Sequence, residues 1–352
     1  MLGPHFVRSG RPDVAVIGAG LMGRWHATNA RRLGARVVAI VDIDPRRAQL
    51  VARRHRAAVF ASIDAMLAKI QPDAAHVCTP LETHVEYSKR LLSAGCDVVC
   101  EKPLAASSEE VAELLRHARN AGGQLCPVHQ FAVQRGVART VERLRDLGDI
   151  RRVAFAFCSA GGEDKSSSAY DEVLLDILPH PLSILAKIRP NPTLATISWQ
   201  GLHTAPGELQ VSGAWGDVPV SIFVSLSARP TEASASIVGT RATANIDFFH
   251  GFAVTNPGPV SRFHKAARPF AAASRQLASA TVNLATRAAR METAYPGLRA
   301  LLSEFYRSMA NSAAPPFADA EIIEVYRARD AIARLLRRLP RKAAPTPAPL
   351  AH

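Results

Sequence analysis

The chain reads as an α/β protein. A doubly wound parallel sheet comes first, and a second domain with an antiparallel sheet follows. Three observations predict this. Short apolar strands alternate with helical patterns from residue 12 to about residue 125. The first strand runs into Gly18-Ala-Gly20-Leu-Met-Gly23, a glycine turn that opens a helix. Beyond residue 148 further strands follow, with a period of two clearest over Val218 to Leu226.

The predicted parallel strands are Asp13 to Ile17, Arg36 to Val41, Ala74 to Cys78 and Asp97 to Cys100. Each is short, β-branched and nearly continuously apolar, as strands buried on both faces are. Helical patterns fill the gaps at Leu21 to Leu33, Arg46 to His55, Thr83 to Ala94 and Ser108 to Ala121. This alternation implies right-handed crossovers. The second domain opens with the turn and strand Gly148 to Phe157. A polar, serine-rich loop with Gly161 and Gly162 then runs to about Ala169, either a cover for substrate or a flexible loop. Further strands are predicted at Thr193 to Trp199, Leu209 to Ala214, Val218 to Ser227, Ser234 to Val238 and Ala242 to Phe248. The expected limits are a disordered N-terminal extension over 1–11, a nucleotide domain over 12–127, a second domain over 128–340 and a disordered, Pro- and Ala-rich tail over 341–352.

Residues 248 to 291 contain no Asp or Glu but six arginines and lysines. Within them Phe263, Phe270, Leu277, Leu284 and Met291 recur every seven residues, with Ala266, Ala273 and Ala280 between. This is a helical stripe, expected to break at Pro269. Two uses fit it: packing on its own domain or another subunit, or peripheral docking of 262–291 on an anionic membrane.

Bulk properties bound the function. A chain of 352 residues is long enough for two domains. With 48% hydrophobic and 21% charged residues it has an ordinary globular composition. It lacks a run of about 18 uncharged apolar residues, and Met1 to Pro12 lacks a signal-peptide core. Five scattered cysteines without a CxxC pair point to a reducing, cytoplasmic setting and to no zinc site. Cys78 and Cys100 read as small buried hydrophobes. The net charge of +13 fits a codon bias toward arginine, an anionic substrate or a polyanionic surface. Nucleic acid is the weakest of these, because zinc-finger spacing and stacking aromatics are missing.

The chemistry lies at the carboxyl ends of the strands. Gly18 permits a tight turn, Gly20 lets backbone approach a pyrophosphate, and Gly23 lets the helix pack closely. Leu21 and Met22 begin that helix, whose free N–H groups and dipole favour an anion. Asp42, at the end of the second strand, is placed to accept from ribose hydroxyls, which favours NAD. Arg46 and Arg47 lie just beyond, either as a solvated helix turn or as a grip for the 2′-phosphate of NADP. Thr79 and Pro80 would border the cofactor, Thr83 would cap the next helix, and His84 either faces the site or lies on the surface. Cys100-Glu101-Lys102-Pro103 ends the next strand with a cation.

The glycine motif, the Thr79-Pro-Leu-Glu-Thr-His84 segment, the Gly95-to-Pro103 block and Asp176-Ile-Leu-Pro-His180 together resemble the Gfo/Idh/MocA oxidoreductases. These include glucose-fructose oxidoreductase and inositol 2-dehydrogenase. The resemblance implies a Rossmann domain, a second α/β domain whose open, mostly antiparallel sheet often makes a homodimer or homotetramer, and NAD(P)-dependent hydride transfer at a carbinol carbon. It implies a polyol, sugar, cyclitol or nucleotide-sugar substrate and calls for no metal. By the same resemblance Lys102 contacts the reacting hydroxyl and the nicotinamide ribose, with Glu101 beside it, and Asp176 and His180 complete the catalytic set. His129 and Gln130 are then substrate contacts. A histidine suits the base role, and a cation stabilises a developing alkoxide. Two departures stand out: prolines 179 and 181 flank His180, and Ser183 replaces an Asp common in the family. The helix around His180 should therefore start near Leu178 or Pro179, with Asp176 just outside it. The same site could serve reduction of an imine or other C=X bond, and a non-catalytic nucleotide-binding regulator is the reading from another class.

Overall fold

The structure, a computed structural model, describes residues 11–159, 167–188, 194–258 and 262–339. Residues 1–10, Gly161 and Gly162, Thr193 and the 341–352 tail lie outside them. By contacts the chain divides into two units. The first holds residues up to Gln130 together with Gly297–Tyr326, and the second holds Phe131–Pro296 and the residues from Arg327 onward.

The first unit is built on six parallel strands. In chain order its elements are β1 (Asp13–Ile17), α1 (Leu21–Arg32), β2 (Arg36–Val41), α2 (Pro45–His55), β3 (Ala58–Phe60), α3 (Ile63–Leu67), β4 (Ala74–Val77), α4 (His84–Ser93), β5 (Asp97–Cys100), α5 (Ser108–Asn120) and β6 (Leu125–Pro127). The sheet order is β3-β2-β1-β4-β5-β6, so the chain reverses direction between β1 and β4. That reversal leaves a crevice at the strands' carboxyl ends. Val14 to Ile17, Ala74, Ala75, Val98 and Val99 are buried on both faces, which explains their continuous apolar character. Two short elements carry no readable period: β3 with three residues and α3 with five. The unit also takes back a later segment. Helix α10 (Leu298–Ala310) packs on α1 and buries Leu298, Leu301, Leu302 and Phe305.

The second unit holds α6 (Arg135–Glu142), β7 (Ile150–Cys158), α7 (Ser167–Ile177), α8 (Pro179–Ile188), β8 (Gln200–Ala205), β9 (Glu208–Trp215), β10 (Val218–Ser225), β11 (Glu232–Gly239), β12 (Ala242–Asp247), β13 (Phe252–Pro257) and α9 (Arg262–Ala289). Helix α11 (Asp319–Arg338) gives its residues up to Tyr326 to the first unit and the rest to this one. Its seven strands run β13-β12-β11-β7-β10-β9-β8, with β7 and β10 parallel and the other pairs antiparallel. Val153, Phe155, Phe157, Val220, Ile222 and Val224 fill one face, while Ala154, Ala156, Ser221 and Ser234 alternate on the other.

Three expectations change here. The strand expected over Thr193 to Trp199 is a short 3₁₀ turn at Leu194–Thr196, and the strand lies after it as β8. Its exposed alternate residues, including Leu202, hide the apolar signal. Helix α7 replaces the end of the expected loop, because Ala169 to Leu175 are mostly good helix formers. Helix α9 continues through Pro269, since the alanine-rich sequence on both sides propagates the helix across a single cost of about 3 kcal/mol.

Candidate functional site

In the first unit a cleft of about 770 Å³ opens at the carboxyl ends of β1, β2 and β4. Gly18, Gly20, Leu21, Met22, Asp42, Arg47, Thr79 and Pro80, all expected at the cofactor, line it. Gly18 sits at φ +94°, and a Cβ there would stand 2.7 Å from the Cys78 carbonyl oxygen. A Cβ on Gly23 would stand 1.8 Å from the Gly18 carbonyl oxygen, so only glycine lets α1 start this close to the turn. A Cβ on Gly20 would meet nothing, because that position faces open space. These residues fit a dinucleotide: an uncapped helix start with free amides, beside a glycine that crowds nothing.

Asp42 fixes the loops around that cradle. Its Oδ2 accepts from the Ala19 N–H at 2.6 Å and its Oδ1 from the Asp44 N–H at 2.8 Å. Each oxygen keeps a further lone pair for a ribose hydroxyl. Asp44 caps α2, accepting from the Arg46 and Arg47 amides, and the Arg47 guanidinium lies 3.8 Å from its carboxylate. Leu21 and Ile43 expose apolar surface on the cleft wall, where a flat base would cover it. Ser62, Glu86, Tyr87 and Arg90 also line the cleft. Sequence reading missed them because Ser62 caps the short helix α3 and the others lie on α4, at positions that carry no motif.

His84 belongs elsewhere than expected. It is buried, not exposed, and it is missing from the cleft lining. Its Nε2 lies 2.8 Å from the Thr79 carbonyl oxygen and its Nδ1 2.7 Å from the Pro103 carbonyl oxygen. It braces the turn after β4 against the segment after β5. Thr83 stands at the start of α4 without capping it; its hydroxyl turns back toward Thr79 Oγ1, 2.7 Å away.

The segment around Lys102 is anchored on both sides. Glu101 is buried and faces inward, not into the cleft. Its Oε1 accepts from His26 Nε2 at 3.0 Å and its Oε2 from the Lys102 N–H at 3.2 Å. Two residues on, the Leu104 N–H donates to the Tyr326 hydroxyl at 2.5 Å. Behind Glu101 the network continues through buried groups. His26 Nδ1 meets His76 Nδ1 at 3.1 Å, and His76 Nε2 meets the Tyr306 hydroxyl at 3.0 Å. With Glu101 ionised, one direction of donation satisfies every atom: Tyr306 to His76, His76 to His26, His26 to Glu101. Burial, with His26 next to it, holds His76 well below the ordinary histidine range, and burial pushes Tyr306 up. Both directions agree with neutral His76 and protonated Tyr306. His26, His76 and Tyr306 carried no sequence signal, because lone histidines and a tyrosine in three distant elements share no spacing.

His129 and Gln130 are also buried. The His129 ring lies 5.3 Å from Phe317, edge-on, and 6.0 Å from Tyr326. The Gln130 side-chain oxygen is buried with no hydrogen-bond partner among the described residues. Burial pushes the Cys100 thiol up and Cys96 to about 12, so neither is a nucleophile.

In the second unit α8 starts at Pro179, where a proline is tolerated, and Asp176 falls in the last turn of the separate helix α7. Asp176 and His180 are half-buried. The His180 ring stacks on Phe131 at 4.3 Å, within an aromatic group that includes Phe157 and Phe248. Ser183 donates to the His180 carbonyl oxygen at 2.9 Å. Nearby in the chain, Asp171 and His203 form a buried pair at 3.1 Å that the sequence did not announce. Lys102 lies in the first unit, Asp176 and His180 in the second.

The comparisons agree with this cradle. Residues 13–129 match the family described as oxidoreductases with an NAD-binding Rossmann fold. D-glucoside 3-dehydrogenase of Escherichia coli is 35% identical over 142 residues, 39% of this chain and 40% of that protein. Inositol 2-dehydrogenase of Paracoccus denitrificans is 33% identical over 119 residues, 33% of this chain and 35% of that protein. The chain thus spans less than half the length of these curated relatives. The fold extends further: the WlbA dehydrogenase of Bordetella pertussis, solved with NADH and UDP-GlcNAcA, superposes with a TM-score of 0.73 over 95% of this chain and 97% of that one, at 19% identity. Over residues 13–129, about a third of its length, the chain is similar to the Gfo/Idh/MocA oxidoreductases, whose family model describes an NAD-binding Rossmann fold.

Proposed function

We propose that the protein is an NAD-dependent oxidoreductase acting on a carbinol or keto carbon of a sugar, nucleotide sugar or cyclitol. The observation that carries this reading is the anchored cation at the end of β5. Glu101, Pro103 and Leu104 are each tied to a different element, so the backbone around Lys102 is preorganised. NAD, when bound, accepts or returns the hydride. The Lys102 ammonium stabilises the alkoxide that develops as the hydroxyl proton leaves. His180 takes that proton and returns it in the reverse direction, its ring held flat by Phe131. Asp176 orients His180 or holds a neighbouring hydroxyl. The unpartnered Gln130 oxygen is offered to a substrate hydroxyl. NAD is preferred over NADP, because Asp42 and Asp44 place two carboxylates where a 2′-phosphate would add charge, and Arg47 is turned toward Asp44. The named relatives, a glucoside and an inositol dehydrogenase, support the substrate class.

We further propose a homodimer or homotetramer formed through the open face of the seven-stranded sheet, whose small residues suit close contact between sheets. Five free thiols suit a reducing compartment such as the cytoplasm. The test of activity is reduction of NAD and NADP, followed by near-UV absorbance, with panels of cyclitols, sugars and nucleotide sugars. Lys102→Ala should lose about 10³-fold in turnover and bind NAD within a few-fold of the parent. A variant as active as the parent would remove Lys102 from the chemistry. Cofactor binding without turnover on any panel member would overturn the substrate class.

A further inference from the structure

Helix α9 is turned the opposite way to an ordinary surface helix. Its half-buried side carries Ser279, Asn283, Thr286 and Arg287 among small alanines. The helix lies along β13. Asn283 donates to the His250 carbonyl oxygen at 2.9 Å, and Arg135 of α6 donates to Thr286 at 3.2 Å. The large apolar residues point away from the protein: Phe270 is 78% exposed, Leu277 and Leu284 70% each. At about 100° per residue, an arc of about 160° on this outer side carries only Phe, Leu, Ala, Ser and Thr between residues 266 and 289. A globular protein normally buries such a stripe, and left exposed it marks a contact surface.

Cations gather along one edge of that arc. Arg268 and Arg275 lie there on α9 itself by position. Arg135 and Arg139 of α6 line an adjoining cavity of about 240 Å³, with Ser279, Val282 and Asn283. The cavity lining contains no carboxylate, and residues 248 to 291 contain none in sequence. Partial burial, with Arg139 and Arg290 nearby, lowers the pKa of Arg135. Like charges around one concavity repel, and an anion seated among them relieves this.

We propose that the second unit docks on an anionic phospholipid surface, with the apolar arc of α9 inserted and headgroup phosphates held along the arginine edge. The arc is wider than the two-position seam a pairing helix needs. A net charge of +13 draws the protein to an anionic surface. Among the described residues no helix is long and apolar enough to cross a membrane, so the contact is peripheral. The inference is independent of the catalytic reading.

The test is co-sedimentation of the full chain with vesicles of phosphatidylcholine, with and without about a third phosphatidylglycerol. Anionic vesicles should bind at least tenfold more tightly, and raising salt from about 0.1 M to 0.5 M should weaken binding at least tenfold. Leu277→Asp with Leu284→Asp changes only exposed positions, so it should keep the fold and NAD binding and lose vesicle binding at least tenfold. Arg135→Ser with Arg139→Ser should remove most of the preference for phosphatidylglycerol. Three results overturn the proposal: no sedimentation with anionic vesicles, equal sedimentation of the Leu277→Asp, Leu284→Asp variant, or a fall in that variant's solution mass by light scattering. The last would show that a second copy covers the face.

Discussion

Single residues carry the cradle and its bracing. Gly18 and Gly23 work through the absence of a side chain, and Asp42 works by pinning two loop amides. His76 supplies a test of the buried network. Burial and His26 hold its ring neutral in the folded protein, so the unfolded chain takes up the proton first as pH falls. Stability from this group is therefore complete above about pH 6.5, the unfolded value. Below it, stability falls by about 1.4 kcal/mol per pH unit until the folded ring protonates. His76→Gln keeps a polar side chain there and cannot titrate. Urea unfolding between pH 7 and pH 5 should show a shallower slope for the variant; equal slopes would place the acid sensitivity in another group.

At the scale of elements, what the sequence announced depended on period and length. The four long parallel strands and the helices between them were legible, with ends within one or two residues of those observed. Such segments bury one continuous stripe or both faces, so burial writes itself into the pattern. Elements β3, α3 and β6 are too short for any period, and β13 was missed altogether. The expected Thr83 cap does not form, and the cap of α5 came without a sequence reading. Ser107 accepts from the Glu110 amide at 3.2 Å, while the Glu110 carboxylate accepts from the Ala106 amide at 3.0 Å. Ser107→Ala should lower stability by about 1 kcal/mol in denaturant unfolding and leave NAD affinity unchanged. A neutral substitution would mean that α5 is held by packing alone, through Val111, Leu114 and Leu115.

For the whole molecule, the cofactor cleft and the bracing behind it belong to one unit that includes a distant segment. Tyr306 and Tyr326 come from beyond residue 297 and reach the buried network and the Leu104 amide. Cofactor binding should therefore stabilise that segment as well as the N-terminal sheet. NAD at about 100 times its Kd should add about 2.7 kcal/mol to unfolding. Hydrogen exchange should slow in α1 and in α10 together. Protection confined to residues before Gln130 would separate the returning segment from the cofactor.

By itself the sequence determined the fold class, the glycine cradle with Asp42, and the cation after the fourth predicted strand. These are local: a strand, a turn and a helix start are neighbours in the chain, and each residue type has a steric or charge reason readable in place. Tertiary structure alone decided where His84 and Glu101 point, that both are buried, and that His26, His76 and Tyr306 connect behind Lys102. It also decided which way α9 faces. An amphipathic period states that a helix has two sides; only the packing of the other elements settles which side is left to solvent.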